Sequence, residues 1–208
     1  MKGTKERILT AAVGLFNEYG FVNVRLQQIA DAAGISVGNM AYHYKNKADM
    51  LPPIYEGIQH RQYELLQAVQ LTPLFQNFDL FLANTFTLQQ AYLFFYLDTL
   101  ELVRLANRLH QQLREHIHWQ QLQLNLVLQL NQARAALAIP EGDNPDATLP
   151  LARQLRRTID NWCFSNRVEG QPVDDLEAFK KEVWQLLLPY FSDEGYKEYE
   201  QLQLILQS

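Results

Sequence analysis

Gly34 and Ser36 stand two residues apart between two segments of helical patterning, which leaves the chain little freedom there. Before them, Leu26, Ile29, Ala30 and Ala33 repeat on one face of a 3.6-residue period, and Gly34 ends the run. After them, Ser36 can cap a third helix, with Ile35 and Met40 at the two positions of a hydrophobic staple. Two short helices must therefore meet across a very tight turn, and the small Ala30, Ala33 and Gly34 let them cross closely. Upstream, Ile8, Ala11, Ala12, Leu15, Phe16 and Tyr19 follow the same period and Gly20 is a natural stop. Three short helices with a tight turn between the second and third describe a helix-turn-helix unit. In that geometry the second helix braces on a duplex backbone and the third presents its first side chains to the major groove.

The chain's formal charge of −5 does not favour a nucleic-acid contact, but the charge is unevenly spread. Residues 1–50 carry six bases (Lys2, Lys5, Arg7, Arg25, Lys45, Lys47) and four acids (Glu6, Glu18, Asp31, Asp49), a net +2, which leaves −7 for the remainder. Val37, Gly38, Asn39 and Ala41 are short and lie near the exposed start of the third helix. Gly38 lets the backbone approach a phosphate or base edge, and Asn39 can donate and accept at a base edge. Tyr42, His43, Lys45 and Lys47 can reach phosphate oxygens. Asn46 can cap a fourth helix, with Asp49 favouring its positive end.

Beyond Leu51 the predicted elements lengthen and remain helical. Thr72-Pro73 reads as cap and first-turn proline, followed by Phe75, Phe78, Leu82 and Phe86 on one face. Ala91 to Leu105 is apolar on most sides and predicts a buried helix. A long helix is expected over Leu109 to Ala138, then a loop at Ile139 to Pro145, helices near Leu149 to Val168 and Asp174 to Leu188, and a last short helix after Ser192. No strand-like alternation is found. Pro52 and Pro53 leave two readings: a break at Leu51 to Pro53 with the helix resuming at Ile54, or a new helix started by Pro52. The expectation is an all-α chain, with a helix-turn-helix domain over 1–50 and a larger helical regulatory and dimerisation domain over 51–208.

The stretch from Arg7 to Leu51 resembles the DNA-binding domain of the TetR family of bacterial transcriptional regulators. The resemblance is carried by Phe16 to Gly20, Ile29-Ala30, Ala33-Gly34-Ile35-Ser36, Gly38, and Tyr42-His43-Tyr44-Lys45-Asn46-Lys47. It implies a homodimer that binds a palindromic double-stranded DNA operator, usually represses, and is released by a small ligand in the C-terminal domain. Carried over by position, Val37, Gly38, Asn39, Ala41 and Tyr42 lie in the groove. Tyr42, His43 and Lys47 hold the backbone, with Gln27 or Arg25 on the flank. The whole DNA-binding set is Arg25, Gln27, Ser36, Val37, Gly38, Asn39, Ala41, Tyr42, His43, Lys45 and Lys47; Tyr44 is expected in the core. The sequence departs from the family at Val24, which cannot cap the second helix: Asn23 serves instead, or the helix starts with poorer satisfaction. It also departs at Ala41, often tyrosine.

The remaining aromatic side chains are first of all core. As lining for an effector pocket we select Phe81, Asn84, Tyr92, Tyr96, His116, Trp119, Trp162 and Asn166, since such sites are mostly apolar with a few polar groups. The effector itself is not named by the sequence. His116 and His118 face apart on a helix and no cysteine or paired carboxylate joins them, so no metal site is expected. No nucleophile, base and orienting group stand together and no Gly-rich phosphate loop appears, so neither catalysis nor a cofactor is expected. The one cysteine, Cys163, fits a reducing compartment, and no signal peptide or bilayer-spanning run is read, so a cytoplasmic chain without a membrane partner is expected. Dimerisation is expected through the apolar stripes of the helices near 149–168 and 174–188. The alternative is a helical ligand-binding or adaptor protein whose helix-turn-helix does not bind DNA.

Overall fold

The computed structural model describes residues 3–72, 74–140 and 147–206. Among the described residues the chain is helical, with no strand and one isolated bridge between Leu137 and Phe191. The helices are α1 (Thr4–Tyr19), α2 (Leu26–Ala32), α3 (Val37–His43), α4 (Leu51–Leu71), α5 (Phe75–Ala91), α6 (Leu93–Leu105), α7 (Asn107–Ala133), α8 (Thr148–Glu169), α9 (Leu176–Leu187) and α10 (Asp193–Leu206). The chain packs as two compact units, residues 1–60 with 88–115 and residues 61–87 with 116–208. Packing thus groups the chain differently from the expected division at 50/51.

Local chemistry sets the first unit's turns. Gly20, at φ 77°, closes α1 and donates its N–H to Phe16 O at 2.9 Å. Asn23 does not cap α2: its Nδ2 donates to Tyr19 O at 2.8 Å and so finishes α1. Arg25 stands before α2 instead, and its N–H donates to Gln28 Oε1 at 2.8 Å. Val24 is buried, which explains a side chain that cannot cap. Gly34 takes φ 67°, a left-handed angle that a side chain would strain, and Ile35 N–H then reaches back to Ala30 O at 3.0 Å. Ser36 Oγ accepts from Asn39 N–H at 3.2 Å and opens α3 as predicted.

Asn46 and Asp49 cap each other's backbones, with Asp49 N–H to Asn46 Oδ1 at 3.1 Å and Asn46 N–H to Asp49 Oδ2 at 3.3 Å. They open a 3₁₀ turn, Lys47–Met50, that runs into α4. Of the two readings of Pro52 and Pro53 the structure takes the second. Both lie in the first turn of α4, where a helix has no use for the missing N–H, and Leu51 is helical at φ −62°, ψ −48°. The core of this unit is Ile8, Ala12 and Phe16 from α1, Ile29 and Ala30 from α2, and Met40 from α3, all without exposed surface. Tyr44 is buried as expected. In α6, Phe94, Phe95, Tyr96 and Leu102 are buried, while Asp98 breaks the helical geometry at φ −113°, ψ 17°. The prediction of a helix buried on most sides fails at Leu100 and Leu105, which are exposed.

In the second unit, α7 stops short of the predicted Ala138. Ala135 turns to φ 61°, and Ala136 and Leu137 both donate N–H groups to Asn131 O. The segment then lies against the start of α10: Ala138 N–H donates to Tyr190 O at 2.7 Å and Ser192 N–H to Ala136 O at 3.2 Å. Gly195 makes this possible, since a Cβ there would sit 2.0 Å from Ala136 O. Phe75 N–H, at the start of α5, donates to Glu198 Oε1 of α10 at 2.6 Å. Pro73 of the predicted Thr72-Pro73 start lies outside the described residues, as do 141–145 of the predicted loop.

Aromatic rings fill the space between α5, α8 and α9. Phe86, Trp162 and Phe179 lie with centroids 5.5–5.7 Å apart in tilted and edge-to-face pairs. One buried charge pair sits among such rings. Lys180 Nζ donates to Asp79 Oδ2 at 2.7 Å and Trp184 Nε1 to Asp79 Oδ1 at 3.1 Å, so both carboxylate oxygens are satisfied. Both charges are almost wholly out of water. Asp79→Ala therefore leaves a buried ammonium without its counter-charge, and should lower the unfolding free energy by about 3–5 kcal/mol in a urea titration. Asp79→Leu with Lys180→Met should recover most of that loss.

Candidate functional site

The outward row of the helix-turn-helix begins at the cap of α3. Met40 and Tyr44 point inward and are buried, whereas Ser36, Val37, Gly38, Asn39, Ala41, Tyr42 and Lys45 are exposed and His43 is half-buried. Tyr42 is 85% exposed, and its ring meets only that of His43, edge-on at 5.2 Å. Gly38 has no packing reason to be glycine: a Cβ there would make one ordinary contact, 4.0 Å from Ser36 Oγ. Arg25 and Gln27 flank the row on α2 and are exposed, with Gln27 Nε2 donating to Asp31 Oδ1 at 2.7 Å. The predicted set is therefore exposed, apart from the half-buried His43 and Lys47.

Lys47 does not reach outward. Its Nζ donates to Phe21 O at 2.6 Å, Val22 O at 2.8 Å and Val24 O at 2.7 Å, which uses all three ammonium protons. The same ammonium stands 4.7 Å from the centre of the Phe21 ring. Where a phosphate contact is expected, Lys47 in this structure ties the α1–α2 connection to the 3₁₀ turn before α4. Burial lowers its pKa, against the opposing pull of Glu101.

Asn17 is a residue that sequence reasoning passed over. Its Nδ2 donates to Ala91 O at 2.9 Å and its Oδ1 accepts from Phe94 N–H at 3.1 Å, so one amide clasps the corner between α5 and α6. Beside it, Phe16 packs between Phe21 at 4.9 Å and Phe94 at 5.1 Å. The helix-turn-helix is thus anchored on α6 through two consecutive residues of α1.

A second candidate site lies in the other unit, where α4, α5, α7 and α8 enclose a cavity of about 20 Å³. Leu66, Phe81, Leu124 and Ile159 are its apolar walls, and Gln62, Thr85, Gln120, Arg156 and Asp160 its polar ones. Arg156 Nη1 is 2.6 Å from Asp160 Oδ2. Thr85 Oγ1 and Arg156 Nε find no hydrogen-bond partner among the described residues. Burial raises the Asp160 pKa, and Arg156 opposes the rise.

Of the residues selected from sequence for a pocket, only Phe81 lines this cavity. Asn84 is exposed. Tyr92 and Tyr96 belong to the first unit, and Trp162 is enclosed by Phe86 and Phe179. Asn166 Nδ2 donates to Pro172 O at 3.0 Å and holds the turn after α8. His116 is buried, bonds Gln62 Oε1 through Nε2 at 2.6 Å and stacks on Trp119. Its pKa falls to about 4 through burial, so the ring is neutral near pH 7 and donates to Gln62. Trp119 in turn stacks on Tyr63. The missed residues had one signal: Arg156 and Asp160 are an i, i+4 charge pair riding beside the apolar Leu155 and Ile159. Among the described residues no group of three or more His, Cys, Asp or Glu is placed to hold a metal ion, and no helix is long and apolar enough to cross a membrane.

The helices expected to join two chains bury apolar residues within their own unit. Leu155, Ile159, Trp162 and Cys163 of α8 and Phe179, Val183 and Leu187 of α9 are buried within the unit. The side chains that α8 leaves outside are Phe164, 49% exposed, and Val168, 70% exposed. The outward side of α9 is polar, with Lys181, Glu182 and Gln185.

Comparison with known proteins places these features. Residues 8–52 match the family model for bacterial regulatory proteins of the tetR family, and residues 59–199 match one described as a bacterial transcriptional repressor, also of the TetR type. Over 53 residues the chain is 38% identical to the HTH-type transcriptional regulator AcrR of Shigella flexneri, a match covering 26% of this chain and 25% of that protein. Over 43 residues it is 44% identical to the HTH-type transcriptional regulator RutR of Escherichia coli K12, covering 21% and 20%. The similarity thus spans a quarter or less of the length of these relatives. In three dimensions the chain is similar to a TetR-family transcriptional regulator from Marinobacter aquaeolei VT8, with a TM-score of 0.82 over 97% of this chain and 98% of that one at 23% identity. It is also similar to the fatty acid degradation regulator FadR of Bacillus halodurans, with a TM-score of 0.65 over 90% and 96% at 22% identity.

The two lysines near the exposed row should separate in experiment. Lys47→Met removes three charge-assisted bonds and should destabilise the protein by about 1.5–3 kcal/mol or more, read as a lowered urea midpoint. Lys45→Ala should leave that midpoint unchanged, because its ammonium is in solvent.

Proposed function

The chain belongs to the TetR family of bacterial transcriptional regulators, and on that premise we propose that it is a cytoplasmic repressor. It binds a palindromic operator as a homodimer and is released when a small molecule enters the helical domain. Its work is binding and not catalysis. One observation carries the reading. The side chains of Val37, Asn39, Ala41, Tyr42 and Lys45 face solvent, while their neighbours Met40 and Tyr44 hold α3 in the core.

In this reading Val37, Gly38, Asn39, Ala41 and Tyr42 enter the major groove. Tyr42, His43 and Lys45 meet phosphates, with Arg25 and Gln27 at the flank and Ser36 at the head of the helix. Lys47 takes no part, since its protons already serve Phe21, Val22 and Val24. Two copies related by a two-fold axis present two such helices to successive turns of a duplex, about 34–36 Å or somewhat more apart. The outward Phe164 and Val168 of α8 supply the apolar part of that dimer contact.

The route from ligand to DNA follows one helix. α5 carries Phe81 and Thr85 at the cavity and ends at Ala91, whose carbonyl accepts from Asn17. Thr85 and Ala91 are about 9 Å apart along the axis. A ligand that displaces α5 at Thr85 therefore moves the corner on which α1 is held. Packed helices have discrete arrangements, so a small push becomes a shift of the whole helix-turn-helix.

Gel-shift titration with the DNA flanking the chain's own gene tests the proposal. A retarded band should form that random DNA of equal length fails to displace. Asn39→Ala should cost about 1–3 kcal/mol on the specific fragment and little on random DNA. Lys45→Ala should weaken both alike and lower the slope of log affinity against log salt by about 1. A chain that binds specific and random DNA equally, with Asn39→Ala indistinguishable from wild type, is not this regulator.

A further inference from the structure

The polar groups of the cavity restrict what can enter it. Thr85 is 4% exposed and its hydroxyl lacks a hydrogen-bond partner among the described residues, and the Nε–H of Arg156 lacks one too. Both side chains line the same small cavity, and a ligand oxygen that accepts from them relieves buried polar groups whose unpaired state is costly. The charges already present are balanced, one guanidinium against one carboxylate at 2.6 Å. A ligand carboxylate would bring a second negative charge beside Asp160, which burial already disfavours in its ionised form. An ammonium would meet Arg156 and find neither donor satisfied. Leu66, Phe81 and Ile159 offer only apolar surface to the rest of the molecule.

We infer that the cavity binds a neutral, mainly apolar molecule carrying one carbonyl-type oxygen, a ketone, ester, lactone or amide, held by Thr85 Oγ1–H and Arg156 Nε–H. This rests on the reading of the chain as a ligand-released regulator. About 20 Å³ holds one or two waters, so such a molecule enters by pushing its walls apart. Phe81 and Thr85 are the wall that α5 contributes.

The test is calorimetric titration of the full chain, without DNA, with methyl ketones from 2-butanone to 2-octanone and with carboxylates of the same carbon count. At least one ketone should bind, about tenfold or more tighter than its matched carboxylate. Thr85→Val keeps the shape and removes the donor, so it should weaken that ketone about tenfold, the worth of one hydrogen bond. It should melt no lower than wild type, since the lost hydroxyl was unpaired. Arg156→Lys, which keeps the charge and loses Nε–H, should weaken the ketone similarly. A carboxylate preferred over its ketone, ketone affinity unchanged in Thr85→Val, or no binding of any probe at millimolar concentration overturns the inference and leaves a site that holds only water. Operator release is read separately. A ketone that binds through Thr85 without loosening the DNA complex leaves this inference standing and removes the proposed release. Release by a ketone that ignores Thr85 does the opposite.

Discussion

The ammonium of Lys47 is the bond on which the first unit closes. Three carbonyls, of Phe21, Val22 and Val24, converge where the chain leaves α1 for α2, and a backbone in that state needs donors it does not itself supply. Lys47 brings them from the start of the 3₁₀ turn before α4. The connection is thereby pinned to both ends of the helix-turn-helix, and α2 and α3 inherit fixed positions. The Gly34 turn then sets how α3 crosses α2, and Ser36 sets where α3 begins. On α3 a short row of side chains remains for solvent.

The Phe16–Asn17 pair extends the same logic. Phe16 gives α1 an apolar grip on α6, and Asn17 gives it a directional one, since its amide both donates and accepts at one helix corner. An apolar contact alone tolerates sliding; two hydrogen bonds to Ala91 and Phe94 do not. The buried Asp79–Lys180–Trp184 cluster makes the corresponding statement in the second unit, where aromatic packing alone would leave the register of α5 on α9 loosely specified.

Much of this was legible in the sequence wherever the physics is local. Gly20, Gly34, Ser36 and the Asn46–Asp49 pair announce helix ends through the residues that satisfy them, within three or four positions. The inward Met40 follows from its place in the hydrophobic staple, and the inward Tyr44 from the resemblance to the family. The rest depends on partners far along the chain. Nothing within a helix turn of Lys47 tells that three carbonyls more than twenty residues earlier will converge on it, so it reads as a phosphate ligand. Asn17 meets Ala91 across 74 residues of sequence. Period shows that a face of α8 or α9 is buried and not by what: Phe86 of α5 packs on Trp162 and Phe179 within the same unit. The residues selected for a pocket take Asn84, His116 and Asn166 as its polar groups, whereas Gln62, Thr85, Gln120, Arg156 and Asp160 are the polar groups of the cavity, brought together from four helices.

The central claim is that the exposed row of α3 reads DNA sequence in a two-fold arrangement. Selection of bound duplexes from a random library by the full-length chain tests it most directly, since it presupposes neither operator nor effector. The account predicts enrichment of an inverted repeat whose half-site centres lie about 34–36 Å or somewhat more apart. Recovery of no common sequence, or of a single half-site without its inverted partner, would contradict it.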